Sequence, residues 1–186
     1  MSRFDIRPTP LEGLQILERR PISDPRGFFE RMYCVDELSI LLNNRTIRQV
    51  NRTLSKQPGT VRGMHFQHPP HAEMKFVSCL HGSVFDVAVD LRSGSNTFLK
   101  WFGIELNENN HLTLAIPEGY AHGFQTLTSD CELLYMHTNC YSSDAEGGVH
   151  PTDPRLSIDW PMPIETMSEK DRSHPFIDDN YKGIDL

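Results

Sequence analysis

Ser83-Val84-Phe85-Asp86-Val87-Ala88-Val89-Asp90 alternates along its whole length. At the two-residue period of a strand, Phe85, Val87 and Val89 share one face, and Val84, Asp86, Ala88 and Asp90 share the other. The second face sets a carboxylate among small residues. Asp86 therefore looks either into a polar barrel interior or out to solvent, and periodicity alone allows both. Outward from this stretch, β-branched and aromatic runs recur about every ten positions, broken by Gly, Pro, Asn, Asp and Ser, the pattern of an all-β sandwich or barrel. About ten strands are expected from that spacing: 14–18, 27–33, 47–53, 60–67, 74–80, 84–90, 101–106, 112–116, 123–127 and 131–138. Helix is expected only in short pieces. Asp36 is a candidate N-cap for Glu37 to Leu42, and a less regular tail follows Trp160, where Pro161 and Pro163 exclude a strand interior.

The chain has 186 residues, the size of one domain with one core, so residues 1–186 are expected to fold together. Area scaling gives roughly 9,100 Å² of folded surface, and burial on that scale needs no disulfide staple. The net charge of −7 argues against a nucleic-acid or anionic-membrane partner, so an anionic ligand has to meet a local basic pocket. The opening Met1-Ser2-Arg3-Phe4-Asp5 runs into charges and Pro8 without the apolar core of a signal peptide, and no apolar run of membrane length follows. A cytoplasmic protein is the expectation. Cys34, Cys79, Cys131 and Cys140 show no CxxC spacing and are expected as small buried hydrophobes.

Two clusters could carry chemistry. Between Arg62 and Lys75, three histidines (His65, His68, His71) accompany the two cations. His65 and Gln67 share a strand face. Arg62 has the opposite parity and joins them only if Gly63 forms a bulge or the strand ends there. His68 and His71 flank two prolines and belong to a loop. In the second cluster, Ile116-Pro117-Glu118-Gly119-Tyr120-Ala121-His122-Gly123-Phe124, a Pro- and Gly-bearing turn delivers His122 to the start of a strand. The P-x-G-x-x-H spacing resembles the second motif of the cupin superfamily, which implies a double-stranded β-helix, or jelly roll, with a few short helices mainly near the C-terminus. Metal-binding cupins bring a histidine pair in their first motif. Here that pair is His65 and Gln67, so one imidazole is replaced by an amide, which weakens a metal-dependent reading.

Taken in order, Asp24 to Phe29, Gln49-Val50-Asn51, Arg62 to Gln67, Lys75-Phe76-Val77, Phe85 to Arg92, Ile116 to Phe124, Tyr135 with Tyr141, and Ser168-Glu169-Lys170-Asp171 resemble the dTDP-4-dehydrorhamnose 3,5-epimerase family over about residues 5 to 175. The resemblance implies an isomerase that inverts C-3, C-5 or both in a nucleotide-linked 4-keto-6-deoxy hexose. It implies no cofactor and no metal, and a homodimer. It assigns His65 as base, Asp171 as its orienting partner, Lys75 to the enolate oxygen and Tyr135 as the acid on the opposite ring face. It also puts Arg26, Arg62, His122 and Lys170 around the diphosphate and sugar, Gln49 and Asn51 in the same pocket, Glu146 on the nucleoside side, and Tyr141 against the base. The residue types suit these tasks: imidazole titrates near neutrality, a carboxylate selects its tautomer, ammonium neutralises an oxyanion, and a phenol donates once its pKa is drawn toward the operating range. Two other functions compete, a metal-dependent cupin enzyme and a non-catalytic sugar-nucleotide binder; retention of His65, Lys75, Tyr135 and Asp171 together favours the epimerase. No G-x-G-x-x-G follows a strand and opens a helix, so no nicotinamide site is indicated.

Two positions depart from the family pattern. Arg31 stands where a carboxylate usually falls five positions after Arg26, with Glu30 displaced by one, and Ser78 stands where an Arg is frequent. In a strand running from Gly27 to Tyr33, Arg31 would share parity with Phe29, and it would either present a donor to the nucleotide or pair with Glu146 at the surface.

Overall fold

The alternating stretch is a strand buried on both faces. In the computed structural model, which describes residues 2–186, Val84 and Ala88 pack into one apolar cluster while Val87 and Val89 pack into another. Asp86 is fully buried on the Val84 side. The polar-interior alternative is therefore the one realised, and the strand has no solvent face.

The elements are β1 (Phe4–Pro8), β2 (Gln15–Arg19), β3 (Ile22–Asp24), β4 (Gly27–Phe29), α1 (Ser39–Leu42), β5 (Gln49–Ser55), β6 (Val61–Gln67) and β7 (Lys75–His81), then β8 (Ser83–Asp90), β9 (Trp101–Asn107), β10 (Leu112–Ile116), β11 (Tyr120–Thr126), β12 (Cys131–His137), β13 (Glu146–Gly148) and α2 (Glu169–Arg172). Two antiparallel sheets, ordered β1-β2-β10-β7-β12-β5 and β13-β6-β11-β8-β9, face each other as a jelly roll, and β3 and β4 form a separate hairpin. Leu14, Val77, Leu106, Leu114, Ile116, Phe124 and Leu133 fill the space between the sheets.

Each sheet also has an outer cover. Leu38 and Leu42, around α1, close over Phe4, Leu17, Phe76 and Met136 on the six-stranded sheet. Leu156, Ile177 and Ile184 of the C-terminal tail close over Met64, Val87, Val89 and Leu91 on the five-stranded sheet. A fully buried aliphatic side chain contributes roughly 1.5–3 kcal/mol, enough for a few of them to hold segments with little regular structure.

Several boundaries differ from the sequence expectation. The strand foreseen from Gly27 to Tyr33 stops at Phe29, because β3, its partner in the hairpin, runs out at the Ile22 to Phe29 pairing. Asp36 does not cap through its side chain. Leu38 is the N-cap, the main-chain carbonyl of Asp36 accepts from Ser39, and the single turn ends at Asn43 in the left-handed region (φ 44°). β11 begins at Tyr120, three residues earlier than expected, since it pairs with β8 from Tyr120–Asp90 to Thr126–Val84. β1, β3 and β13 were not foreseen; Pro8 and two glycines in β13 mask their patterns. Cys79 and Cys131 are buried as expected, whereas Cys140 is exposed.

Candidate active site

A cavity of about 290 Å³ opens between the sheets on the β5 and β6 side. β5 contributes Gln49, Asn51 and Thr53; β6 contributes Arg62, His65 and Gln67; Lys75, His122, Tyr135 and His137 come from β7, β11 and β12. Polar side chains from five strands converge on this space, with Phe66 of β6 and Phe124 of β11 adding apolar surface.

Arg62 and His65 share this wall through a bulge. Opposite β11, the register passes from His122–His65 to Phe124–Arg62, so three steps of β6 match two of β11. Gly63 makes this possible with φ +131°, and a Cβ there would sit 2.5 Å from the Gly123 Cα. The Arg62 Nε donates to Ser55 Oγ at 3.0 Å.

His65 Nε2 lies 2.7 Å from Asp171 Oδ1. Ser168 caps α2 by accepting from the Asp171 N–H at 3.0 Å, which fixes the aspartate on the first turn. Burial disfavours the Asp171 anion, but its bond to and charge on His65 outweigh burial, and with the Ser168 contact they hold this carboxyl below its usual value. With the Nε2–H given to a carboxylate, the remaining acceptor of a neutral His65 ring is Nδ1. The ring stays 35% exposed, enough to meet a ligand.

Lys75 is buried, with Nζ donating to the His65 carbonyl at 3.1 Å and pairing with Glu73 at 3.2 Å. Tyr135 sits on β12 between Asn51 and Val77, its ring edge-on to His122 at 5.9 Å. Desolvation, followed by the charge of Asp86, pushes its phenol well above the usual value. This reverses the expected downward pull. The group is kept fully protonated, and a phenol remains a far stronger acid than a C–H beside a ketone, so it is still able to protonate a carbanion. Beneath it, His122 Nε2 bonds Asp86 Oδ1 at 2.8 Å.

At the rim, Gln49 Oε1 accepts from the Tyr141 N–H at 2.9 Å, and Asn51 shares its wall as their common parity implied. Tyr141 is exposed and donates its hydroxyl to Glu146 at 2.8 Å, while Lys170 Nζ reaches both Glu146 oxygens at 2.6 Å. Burial opposes ionisation of Glu146, yet Lys170 and Tyr141 hold its carboxyl below the usual value. Lys170 itself lines a neighbouring depression on the far side of Glu146.

Two expected contributors are elsewhere. Arg26, 90% exposed on the β3–β4 hairpin, pairs with Asp24 and does not line the cavity. Arg31, beyond the end of β4, pairs with Glu37 and not with Glu146, so the pocket-facing strand position foreseen for it does not exist. Sequence reasoning also missed His137. Its ring stacks on Tyr135 at 6.1 Å, and burial, aided by the charges of Lys75 and His122, lowers its pKa to about 4. Strand parity with Tyr135 was the signal that could have found it. Gln67 is engaged structurally: its amide N donates to the His71 carbonyl at 2.9 Å and Glu73 at 2.8 Å, and its oxygen accepts from the Ser142 N–H. An amide so occupied is a poor substitute for the missing cupin ligand.

The sequence model of the dTDP-4-dehydrorhamnose 3,5-epimerase family matches residues 8–179. The chain belongs to that family. Among its relatives, a dTDP-4-dehydrorhamnose 3,5-epimerase of Salmonella typhimurium is 41% identical over 172 residues, covering 91% of this chain and 93% of the relative. A dTDP-4-dehydrorhamnose 3-epimerase of Streptomyces niveus is 38% identical over 169 residues, 90% of this chain and 81% of its own. A crystal structure of dTDP-6-deoxy-D-glucose-3,5-epimerase from Legionella pneumophila in complex with dTDP-4-keto-L-rhamnose superposes with a TM-score of 0.88 at 36% identity, over 93% of this chain and 92% of that one. This member of the dTDP-4-dehydrorhamnose 3,5-epimerase family is accordingly an isomerase on a cupin-type fold. Its departure at Ser78 has a local answer: the buried Arg19 guanidinium, from β2, bonds Ser78 Oγ at 3.1 Å and the Thr113 hydroxyl.

Proposed function

We propose that this epimerase inverts both C-3 and C-5 of a dTDP-linked 4-keto-6-deoxy hexose. The observation that carries the proposal is the convergence of the His65–Asp171 pair, Lys75 and Tyr135 on one cavity. Both carbons are α to one ketone, so each inversion is the same two-step exchange. His65 Nδ1 takes the C–H proton, and the electron pair moves into the ketone as an enolate. Asp171 holds the tautomer that leaves Nδ1 free and steadies the imidazolium. The Lys75 ammonium compensates the charge that develops on the enolate oxygen. The Tyr135 O–H then protonates carbon from the other face, and solvent restores both groups to their starting protonation. Every step is a proton transfer, so the electrons balance without a redox partner.

Arg62, His122, Gln49, Asn51, Glu146 and Tyr141 supply binding, with Lys170 acting through Glu146. An exposed phenol ring at the rim suits stacking on the nucleotide base, worth roughly 1–3 kcal/mol by analogy with base stacking elsewhere. Arg26 fits this scheme in a homodimer, in which the cavity receives Arg26 of the partner subunit. The hairpin carrying it leaves Ile22, Phe28 and Phe29 exposed, and the β5 edge strand leaves Val50 and Leu54 exposed. The protein acts as a single domain in the cytoplasm. In support, the N-terminal β1 is the edge strand of the six-stranded sheet and the C-terminal tail covers the five-stranded one, and among the described residues no helix is long and apolar enough to cross a membrane and the cysteines are free.

Incubation with the dTDP-4-keto-6-deoxy sugar in D₂O tests the proposal. Deuterium is expected at C-3 and C-5 together with net inversion. Label at C-3 alone would make this protein a 3-epimerase, and no label at either carbon would remove the proposed activity.

A further inference from the structure

Behind the reactive imidazole lies a third group that the epimerisation does not use. His174, two residues after α2, is nearly buried, and its Nε2 has no hydrogen-bond partner among the described residues. A buried unpaired ring nitrogen needs a physical reason. The ring fits only because residue 148 is glycine, since a Cβ there would meet its atoms at 2.3–2.5 Å. So placed, His174 Nε2 stands 3.9 Å from Asp171 Oδ1, and its ring lies 5.5 Å from that of His65. One ligand atom from each of His65, Asp171 and His174 lies within 4.8 Å of the other two.

We propose that His65, Asp171 and His174 form a binding site for zinc or a similar borderline divalent cation, and that its occupation shuts the enzyme off. Two imidazoles and a carboxylate are a common zinc donor set, whereas magnesium and calcium prefer all-oxygen sites. Bonds of about 2.0–2.1 Å at tetrahedral angles separate ligand atoms by about 3.3 Å. Asp171 now stands 2.7 Å from one nitrogen and 3.9 Å from the other. Reaching that spacing lengthens the first distance and shortens the second by about 0.6 Å each, and draws together the two imidazole ligand atoms, which lie within 4.8 Å of one another. The fourth position stays open for water.

The inhibition follows from the tautomer. Metal on Nε2 of a neutral His65 occupies the lone pair there, so the ring's single proton passes through solvent from Nε2 to Nδ1, the atom that has to accept the substrate proton. The base is lost although the ring has hardly moved. This differs from a cupin metal centre, because the ion sits behind the imidazole, between β6 and α2, and takes no part in turnover.

The test is zinc titration of the metal-stripped, full-length protein by calorimetry, with activity followed in parallel, on the wild type, His174→Asn and His174→Gln. One ion per chain, inhibition reversed by EDTA and indifference to millimolar magnesium are expected. Each variant should weaken zinc binding by at least about ten- to hundredfold, the scale for losing even an outer-shell partner at a metal site, while activity without zinc stays within about threefold. Zinc that binds and inhibits equally in the variants, or no stoichiometric binding to the wild type, overturns the site. If the variants do not fold, copper(II) bound to the wild type decides by its paramagnetic resonance, in which coupling to two imidazole nitrogens is expected and coupling to fewer rejects the site. Only the inhibition arm rests on His65 as the base. Zinc that binds through His174 without inhibiting would retain the metal site and reject its role as an off-switch, and the deuterium experiment judges the epimerase reading separately.

Discussion

The cavity holds two histidine–carboxylate pairs of nearly equal length, and they do different work. His65 and Asp171 are joined at 2.7 Å across 106 residues of chain, with the imidazole 35% exposed. His122 and Asp86 are joined at 2.8 Å between adjacent strands, with the imidazole 6% exposed and Asp86 not exposed at all. In the proposed mechanism the same two side chains make a base where the ring is a third exposed, and a binding and electrostatic element where the ring is nearly buried in the cavity wall. The second pair acts through its surroundings: the Asp86 charge helps keep the Tyr135 phenol protonated, and its Oδ2 has no partner among the described residues to replace His122.

The comparison breaks most sharply at His65. His65→Asn should lower kcat by about 10² or more, the usual scale of acid–base catalysis, and abolish solvent exchange, with little change in Tm. Exhaustive chelation of the wild type should leave turnover intact; loss of activity on chelation would instead support a metal-dependent cupin. The buried pair should show the opposite emphasis. His122→Phe strands the Asp86 carboxylate and should cost about 3–5 kcal/mol of stability, the range for breaking a buried pair, read in chemical denaturation. If its stability falls no further than that of His65→Asn, the two pairs are not different in kind.

Tyr135→Phe sharpens the division of labour between the exposed base and the phenol over the buried pair. Deprotonation by His65 continues, so deuterium exchange at C-3 or C-5 should outlast net inversion. Equal loss of the two would show that Tyr135 positions substrate without donating the proton.

Acid should also distinguish His137, stacked on Tyr135 beside the buried pair. Its folded pKa of about 4 lies below the ordinary 6.5. Between those values the unfolded chain binds the extra proton, so the stability held above pH 6.5 declines as pH falls and its loss is complete below about 4. His137→Gln should flatten that part of the Tm profile; an unchanged slope would place its cause elsewhere. The smallest effect is expected at Arg31. Tied to Glu37 and away from the cavity, Arg31→Gln should leave kcat/KM ratios among dTDP-, UDP-, CDP- and GDP-linked 4-keto sugars within about twofold. A tenfold shift, the expectation had Arg31 faced the pocket, would return it to the nucleotide.

The motifs legible along the chain were those whose meaning is local. Period-two patterning determined that Asp86 and Val84 share a face, that Gln49 and Asn51 share a wall, and that Arg62 could join His65 only through a bulge at Gly63. It could not decide which face of the Ser83–Asp90 strand was interior, since both prove buried and the outer cover comes from residues near the C-terminus. Nor could it place Asp171 beside His65. That contact depends on a one-turn helix, capped by Ser168 and carried across the five-stranded sheet by buried side chains such as Leu156 and Ile177. Arg31 failed for the complementary reason: parity is defined only while a strand has a partner, and β4 loses its partner at Phe29. The sequence by itself determined strand, face and residue chemistry, because backbone geometry repeats every two residues. Burial, the raised phenol and the meeting of imidazole with carboxylate were decided by the tertiary structure, because desolvation and charge depend on distances that close only when remote segments pack.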